Sequence, residues 1–325
     1  MMKTAFTTAL ATGLSAILFA PDPAAAQSNF PNKPIRLVMP LPAGSGLDVV
    51  ARLVTEPFSA NLGQTVIVEN RPGGGGIIAA QAVASAPADG YTLLGGAASV
   101  FTILPAQKEK LPIDVNKDLV QVGILATVSL YVAVSPSLNV NTFSEFVALA
   151  KAKPGTINVG TNGAGTLPHF TGIMLARKLN MPITVVPYNT GGTIEAVRDM
   201  IGGRVQATLE GYGTLKGFVD SKDIKLIAVM GAEREPPIND LPTVAETNPG
   251  ITSIGFMTLA APANTPPDVV ERLNKGLAVA LDTPIVRQRM VELGMAPKIW
   301  TPAQTKKFIE DQQQLWWPIV REASN

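Results

Sequence analysis

The sequence predicts an α/β protein built from two open sheet units, and three observations carry that expectation. Strand-like and helix-like apolar runs alternate in two successive blocks of the chain, the pattern of parallel sheets with helices on their faces. Each block contains a glycine-rich turn between a strand-like run and a helix-like one: Pro40-Leu41-Pro42-Ala43-Gly44-Ser45-Gly46-Leu47-Asp48 and Val159-Gly160-Thr161-Asn162-Gly163-Ala164-Gly165-Thr166-Leu167-Pro168-His169. Beyond Ile251 the chain gives one strand-like stretch and then only helices, which need a sheet supplied from elsewhere.

In the first block Ile35–Met39 reads as a strand, and Val50, Leu53, Val54 and Phe58 fall at helical spacing with Asp48 in the first turn. Pro57 is expected to kink or split that helix before Gly63. Val66–Val68 is a strand, Gly73–Gly76 a turn, Ile77–Ser85 a helix, and Asp89-Gly90 turns the chain into a strand at Tyr91–Leu94. Leu119–Ser144 carries no charged residue. Its β-branched residues and interrupting Gln121, Thr127, Ser129 and Pro136 suit a buried double strand better than a membrane helix, and a strand that long could pass between domains.

The second block opens at Thr142-Phe143-Ser144-Glu145, which has capping-box spacing, and Phe143, Phe146, Val147 and Ala150 form a helical face. Ile157–Val159 is a strand, the second glycine turn follows, and a helix runs from Phe170 to about Asn180. Ile183–Val186, a helix through Ile194, Val197 and Ile201, and strands at Val205–Leu209 and Ile224–Met230 complete the unit. Ile254–Ala260 is a strand, and Pro266–Leu281, Pro284–Leu293 and Ala303–Ala323 are helices. The economical arrangement makes domain one discontinuous, 27–126 with 252–325, around a domain at 127–251, with a hinge at the two crossings.

Lys3, the apolar Ala5–Ala20 and the small residues Ala24-Ala25-Ala26 before Gln27 read as a secretory signal peptide over 1–26. Zero cysteines exclude disulfides, thiol catalysis and thiolate metal sites. Lys+Arg 26 against Asp+Glu 25 gives a net charge of +1 with no dense basic patch, so nucleic acid is not an expected partner.

The single histidine, His169, narrows the enzyme readings: no serine sits in a G-x-S-x-G elbow, and one imidazole without thiolates makes no histidine-rich metal site. No metal or cofactor is expected. Glycines 160, 163 and 165 are not in G-x-G-x-x-G order, and Gly73–Gly76 lacks the P-loop ending. A strand-to-helix turn leaves backbone N–H groups that an anion can engage, and two such turns suggest two halves of one anion cleft. His169 either packs at a helix start or donates to a ligand, the second reading being preferred for its position beside the loop. Tyr188 and Asn189 either point into a cleft or cover the sheet end. Glu210 is either a cleft carboxylate binding an amine or a helix-start charge favoured by the dipole, with the second preferred. Trp316 and Trp317 are packing residues of a terminal amphipathic helix.

Several motifs together resemble the periplasmic receptors of tripartite tricarboxylate transporters, the Bug proteins. They are Phe30-Pro31-Asn32-Lys33-Pro34-Ile35, Pro42-Ala43-Gly44 with Asp48, Val68-Glu69-Asn70-Arg71-Pro72-Gly73, Pro87-Ala88-Asp89-Gly90-Tyr91-Thr92-Leu93, Gly160 to His169, Val186-Pro187-Tyr188, Gly202-Gly203, Leu241 to Glu246 and Ala261 to Pro266. The resemblance implies a two-domain clamshell of the periplasmic-binding-protein type, type II-like, that binds a small carboxylate and delivers it to a membrane permease. It also implies a periplasmic location, a monomer, and ligand contacts from Leu41, Pro42, Ala43, Gly44, Ser45 and Gly46 and from Thr161, Asn162, Ala164, Gly165, Thr166 and His169. Ala98, Ser99, Tyr188, Asn189 and Glu210 complete the expected set. Leu41 stands where the family usually shows an aromatic residue, Ser45 replaces a usual glycine, and Asn189-Thr190 stands where Lys or Arg followed by Gly is common. A sensory receptor and, less favoured, an exported hydrolase are the competing readings.

Overall fold

Ile35, Leu37, Val38 and Met39 are all buried, as in a strand covered on both faces. They form β1 (Ile35–Met39), which leads through α1 (Gly46–Leu62) to β2 (Val66–Asn70) and through α2 (Ile77–Ala84) to β3 (Thr92–Ala97) and the short α3 (Ala98–Thr102). The computed structural model describes residues 30–41, 43–107, 110–190 and 192–323. The expected signal peptide and Pro42 lie outside the described residues. The chain continues with β4 (Leu119–Val134), α4 (Phe143–Ala152), β5 (Ile157–Asn162), α5 (Leu167–Lys178), β6 (Ile183–Tyr188), α6 (Gly192–Ile201), β7 (Ala207–Gly211), α7 (Tyr212–Asp220), β8 (Lys225–Val229) and α8 (Val244–Thr247). It closes with β9 (Ile254–Pro262), α9 (Pro267–Asp282), α10 (Pro284–Glu292), β10 (Met295–Ala296) and α11 (Pro302–Ala323).

The strands repeat one arrangement. β1 lies parallel between β2 and β3, and β9 pairs antiparallel with β3. β5 lies parallel between β6 and β7, and β4 pairs antiparallel with β7. The orders β2-β1-β3-β9 and β6-β5-β7-β4 are therefore equivalent, and β1 and β5 hold the same place in their halves. Within the uncharged run, Leu119–Val134 is one continuous strand rather than a double one. β4 follows β9 from Leu119 to Ser129 and then changes partners, pairing from Leu130 with β7 and from Tyr131 with β8. Continuity is what its composition allows: β-branched residues suit a strand buried on both faces, and β4 is buried along nearly all its length.

α1 runs through Pro57 as one helix, so the chain is not split there. Its last turn is held from outside, because Arg272 of α9 donates to the Asn61 carbonyl at 2.7 Å and to Asn61 Oδ1 at 2.9 Å. Gly276 of α9 offers no side chain where Phe58 and Leu62 pack: a β-carbon there would come within 3.0 Å of both. That tertiary anchoring compensates for the hydrogen bond a helical proline forfeits. Elements not anticipated from sequence are α3, α8 and β10, and α7 is anticipated only as a helix start after Glu210.

α11 straddles the halves. Ile309 belongs to an apolar cluster with Phe101, Ile124 and Phe256, whereas Trp316, Ile319 and Val320 join the core that holds Val132, Phe146, Phe170 and Leu209. An ion pair between Arg177 of α5 and Glu322 adds a surface contact at 3.1 Å.

Candidate ligand-binding cleft

Because β1 and β5 are equivalent, the loops that follow them emerge at corresponding sheet edges, beyond the carboxyl ends of parallel strands, where α/β sheets place their ligands. Both loops line one cleft of about 600 Å³. Its wall takes Leu41 and Gly44 to Leu47 from the first loop and Asn162, Thr166, Leu167 and Pro168 from the second. It also takes the opening residues of α3 (Ala98, Ser99), α6 (Thr193, Ile194) and α7 (Gly213, Thr214). The starts of α1, α3, α5, α6 and α7 thus converge on one space. A helix start carries partial positive charge and N–H groups with no partner inside the helix, so this cleft favours an anion without a cationic side chain. Among the described residues, none that lines it is Lys, Arg or His, and Glu210 is the only ionisable one.

The first loop is fixed by Asp48, which is 1% exposed. Its carboxylate accepts from Gly44 N at 2.8 Å, from Arg52 Nε at 3.0 Å and from Asn70 Nδ2 at 2.8 Å. Asn70 Nδ2 also donates to the Leu41 carbonyl, and Arg52 donates to Asn70 Oδ1. Burial pushes the Asp48 carboxyl up, but the donors Arg52, Asn70 and Gly44 together outweigh it and hold the group below its ordinary value. Ser45 Oγ caps α1 by accepting from Asp48 N at 3.4 Å.

The second loop binds mostly to itself. Gly163 N donates to Asn162 Oδ1 at 3.0 Å, Ala164 N to Asn189 Oδ1 at 2.8 Å, Gly165 N to His169 Nδ1 at 3.4 Å and Thr166 N to the Gly163 carbonyl at 3.3 Å. Thr166 Oγ1 donates to the Asn162 and Gly163 carbonyls and caps α5 by accepting from His169 N. The imidazole of His169 lies edge-on to Phe170 and is pushed by burial below its ordinary pKa, which favours the neutral ring, and its Nδ1 accepts from Gly165 N.

Of the residues singled out in the sequence, Leu41, Gly44, Ser45, Gly46, Ala98, Ser99, Asn162, Thr166 and Glu210 line the cleft. Ala43, Thr161, Ala164, Gly165, His169, Tyr188 and Asn189 are not among its lining residues. Thr161 is fully buried in β5. Tyr188 donates to Asp199 Oδ2 at 2.7 Å, and burial together with that acidic partner pushes its hydroxyl up to about 12. Lining residues that the sequence did not single out come from the crossing strands and from the segment after α10: Val128, Leu130, Gly255, Phe256, Leu293 and Met295. The uncharged run of β4 was the sequence signal for Val128 and Leu130 alone.

Glu210 stands at the end of β7, part-buried. Thr193 Oγ1 donates to its Oε2 at 2.5 Å and its own neighbour Gly211 N donates to Oε1 at 2.9 Å. Burial pushes its carboxyl above the ordinary value against the pull of these two donors. Among the described residues no group of three or more His, Asp or Glu is placed to hold a metal ion, and no helix is long and apolar enough to cross a membrane.

A family model described as the tripartite tricarboxylate transporter family receptor matches residues 50–324. The chain belongs to this family. Among relatives of the receptor, a UPF0065 protein of Bordetella bronchiseptica is 36% identical over 302 residues, covering 93% of this chain and 89% of the relative. Protein BugT of Bordetella pertussis is 31% identical over 299 residues, with 90% of each chain covered. Solved structures that the receptor resembles include R. palustris Rpa4515 with adipate, at TM-score 0.80 and 29% identity over 90% of this chain and 98% of that one. MatC (Rpa3494) from Rhodopseudomonas palustris with bound malate superposes at TM-score 0.76 and 28% identity, covering 90% of this chain and 100% of that one. The periplasmic binding protein BugD gives the same score and identity, covering 90% and 98%. The receptor accordingly has the two-domain α/β fold of periplasmic binding proteins, and its family is one of solute-binding receptors.

Proposed function

We propose that this receptor works in the periplasm, captures a small organic carboxylate between its two halves and delivers it to the permease of a tripartite tricarboxylate transporter without transforming it. The observation that carries the reading is the convergence of helix starts on an apolar cleft with no cationic side chain among its described lining residues. Such a site recognises a carboxylate by backbone N–H groups and dipoles, worth about 0.3–1 kcal/mol per helix start and up to about 2 when partly buried. Charge-assisted hydrogen bonds add roughly 1.5–3 kcal/mol each. Micromolar affinity needs about 8 kcal/mol, within reach of two or three such contacts plus apolar burial after binding costs.

In this reading the halves are a domain of 27–126 with 252–325 and a domain of 127–251, acting as a monomer. A ligand that touches both halves favours their closed arrangement, since only a difference in affinity between two states shifts their populations. The adipate of Rpa4515 and the malate of MatC make aliphatic acids of about that size the first candidates. Thermal-shift and calorimetric titration of the chain from Gln27 against aliphatic and aromatic carboxylates tests the proposal. Saturable binding of at least one, with the acid recovered unchanged, is expected; stabilisation by another solute class alone, or conversion of the acid, refutes it.

A further inference from the structure

Among the described residues, Glu210 is the one ionisable side chain on the wall of the cleft, and its partners are neutral: the Thr193 hydroxyl and the Gly211 amide. These donors stand at the starts of α6 and α7, so an internal carboxyl group already occupies that side of the cleft. The first half differs. At the position equivalent to Glu210, one residue before the end of β3, stands Gly96, which has no side chain, and Asp48, the acid of its own loop, is turned away from the cleft onto Arg52 and Asn70. One cleft therefore has an end open to an anion and an end that already holds a carboxyl group. Between them the wall is apolar, with Leu41, Val49, Leu130, Ile194, Phe256 and Met295.

Resting on the carboxylate reading above, we propose that Glu210 is the residue that sets specificity, and that the ligand is an aliphatic amino acid whose ammonium sits against Glu210 and is separated by an apolar body from a single carboxylate. A second ligand carboxylate reaching Glu210 would set two acidic groups side by side with no cation among the described lining residues to separate them, a repulsive element that selects against diacids. An ammonium supplies the charge-assisted donor that Glu210 lacks within the protein. The apolar walls select against densely hydroxylated acids, whose polar groups would lose water without finding partners.

Three probes of matched length separate the terms: adipate, with a carboxylate at each end; hexanoate, with a methyl in place of one carboxylate; and 6-aminohexanoate, with an ammonium there. Calorimetric titration at neutral pH is expected to give wild-type affinity for 6-aminohexanoate at least tenfold above that for either other probe. In Glu210→Gln the preference over hexanoate is expected to disappear while binding of adipate improves. Wild-type affinity for adipate or hexanoate that equals or exceeds that for 6-aminohexanoate overturns the assignment, as does an E210Q variant that keeps the wild-type preference. If none of the three binds while other carboxylates do, the proposed ligand class is wrong and the carboxylate reading survives; if no carboxylate binds, both fall. The wild-type comparison decides the matter even if E210Q does not fold.

Discussion

Gly213, in the first turn of α7, lies so close to Leu293 that a β-carbon on it would stand 3.0 Å from the Leu293 carbonyl oxygen. Leu293 packs on the apolar cluster of Ile35, Leu37 and Leu273, whereas the preceding Tyr212 belongs to a cluster of the other half with Val197 and Leu215. The contact therefore joins the two sides of the cleft, and both residues line it.

Gly213→Ala is expected to strain that contact by about 1–3 kcal/mol, the usual cost of overpacking. If the cost falls on the closed arrangement alone, ligand affinity drops about tenfold for each 1.4 kcal/mol while the urea midpoint of the free protein stays near wild type. Parallel titration and denaturation measure the two quantities. An unchanged affinity with a lowered midpoint would place the strain in folding rather than closure.

Asn70→Ala removes a donor shared by Asp48 Oδ1 and the Leu41 carbonyl. Leaving buried acceptors unmet is expected to cost about 1–3 kcal/mol, read by urea denaturation, together with weaker carboxylate binding as the loop from Pro40 to Ser45 loosens. The acid profile follows from the sign of the Asp48 shift. Its pKa is lower folded than unfolded, so its contribution is complete above the unfolded value near 4 and is lost as pH falls through the folded one. Asp48→Asn is expected to flatten the loss of stability in that acid range, and an unaltered slope would count against the assignment.

Glu210 has the opposite sign. Its carboxyl titrates higher in the folded chain, so above the ordinary carboxylate range the charged form makes folding less favourable, and that cost fades as pH falls. Glu210→Gln is expected to raise the melting temperature of the ligand-free protein at pH 7, and the gain is expected to shrink as pH falls below the ordinary carboxylate value, where the unfolded state also takes up the proton. A melting temperature lowered at pH 7 would show that the charge is stabilising where it stands.

Trp316→Ala is expected to cost about 3–5 kcal/mol, since the indole is fully buried in the core of the second half. Because α11 also packs on the first half through Ile309, the loss should appear as destabilisation of the whole unit in urea, reported alike by far-UV dichroism and by the remaining tryptophan fluorescence. Two separated transitions would mean that α11 does not couple the halves.

The paired glycine turns made the duplicated strand-turn-helix legible, because glycine clusters between an apolar strand and a helix are a local signal. The repeated patterns of β1-α1-β2 and β5-α5-β6 followed for the same reason. The disposition of the second loop was not legible. Its N–H groups are met by Asn162, Asn189 and His169, and Asn189 acts from 25 residues away. The length of α7 was not legible either: Glu210 marked only its start, and Tyr212 and Gly213 are poor helix formers that tertiary packing overrides. β10 is only two residues long and exists because β4 offers it an edge at Thr127 and Val128. The cleft floor at Val128, Leu130 and Phe256 stayed hidden because long β-branched strands announce burial but not which ends meet.

The place of β9 has a consequence for how the chain acquires its structure. β9 separates β3 from β4 in the finished sheet, yet its residues pair with partners far earlier in the chain, as when Ala260 meets Leu94. The first half therefore lacks its central strand until the whole second half has been made. Contacts of such long sequence separation form slowly, because loop closure precedes the reward. Until synthesis passes Pro262, β3 has an unpaired edge.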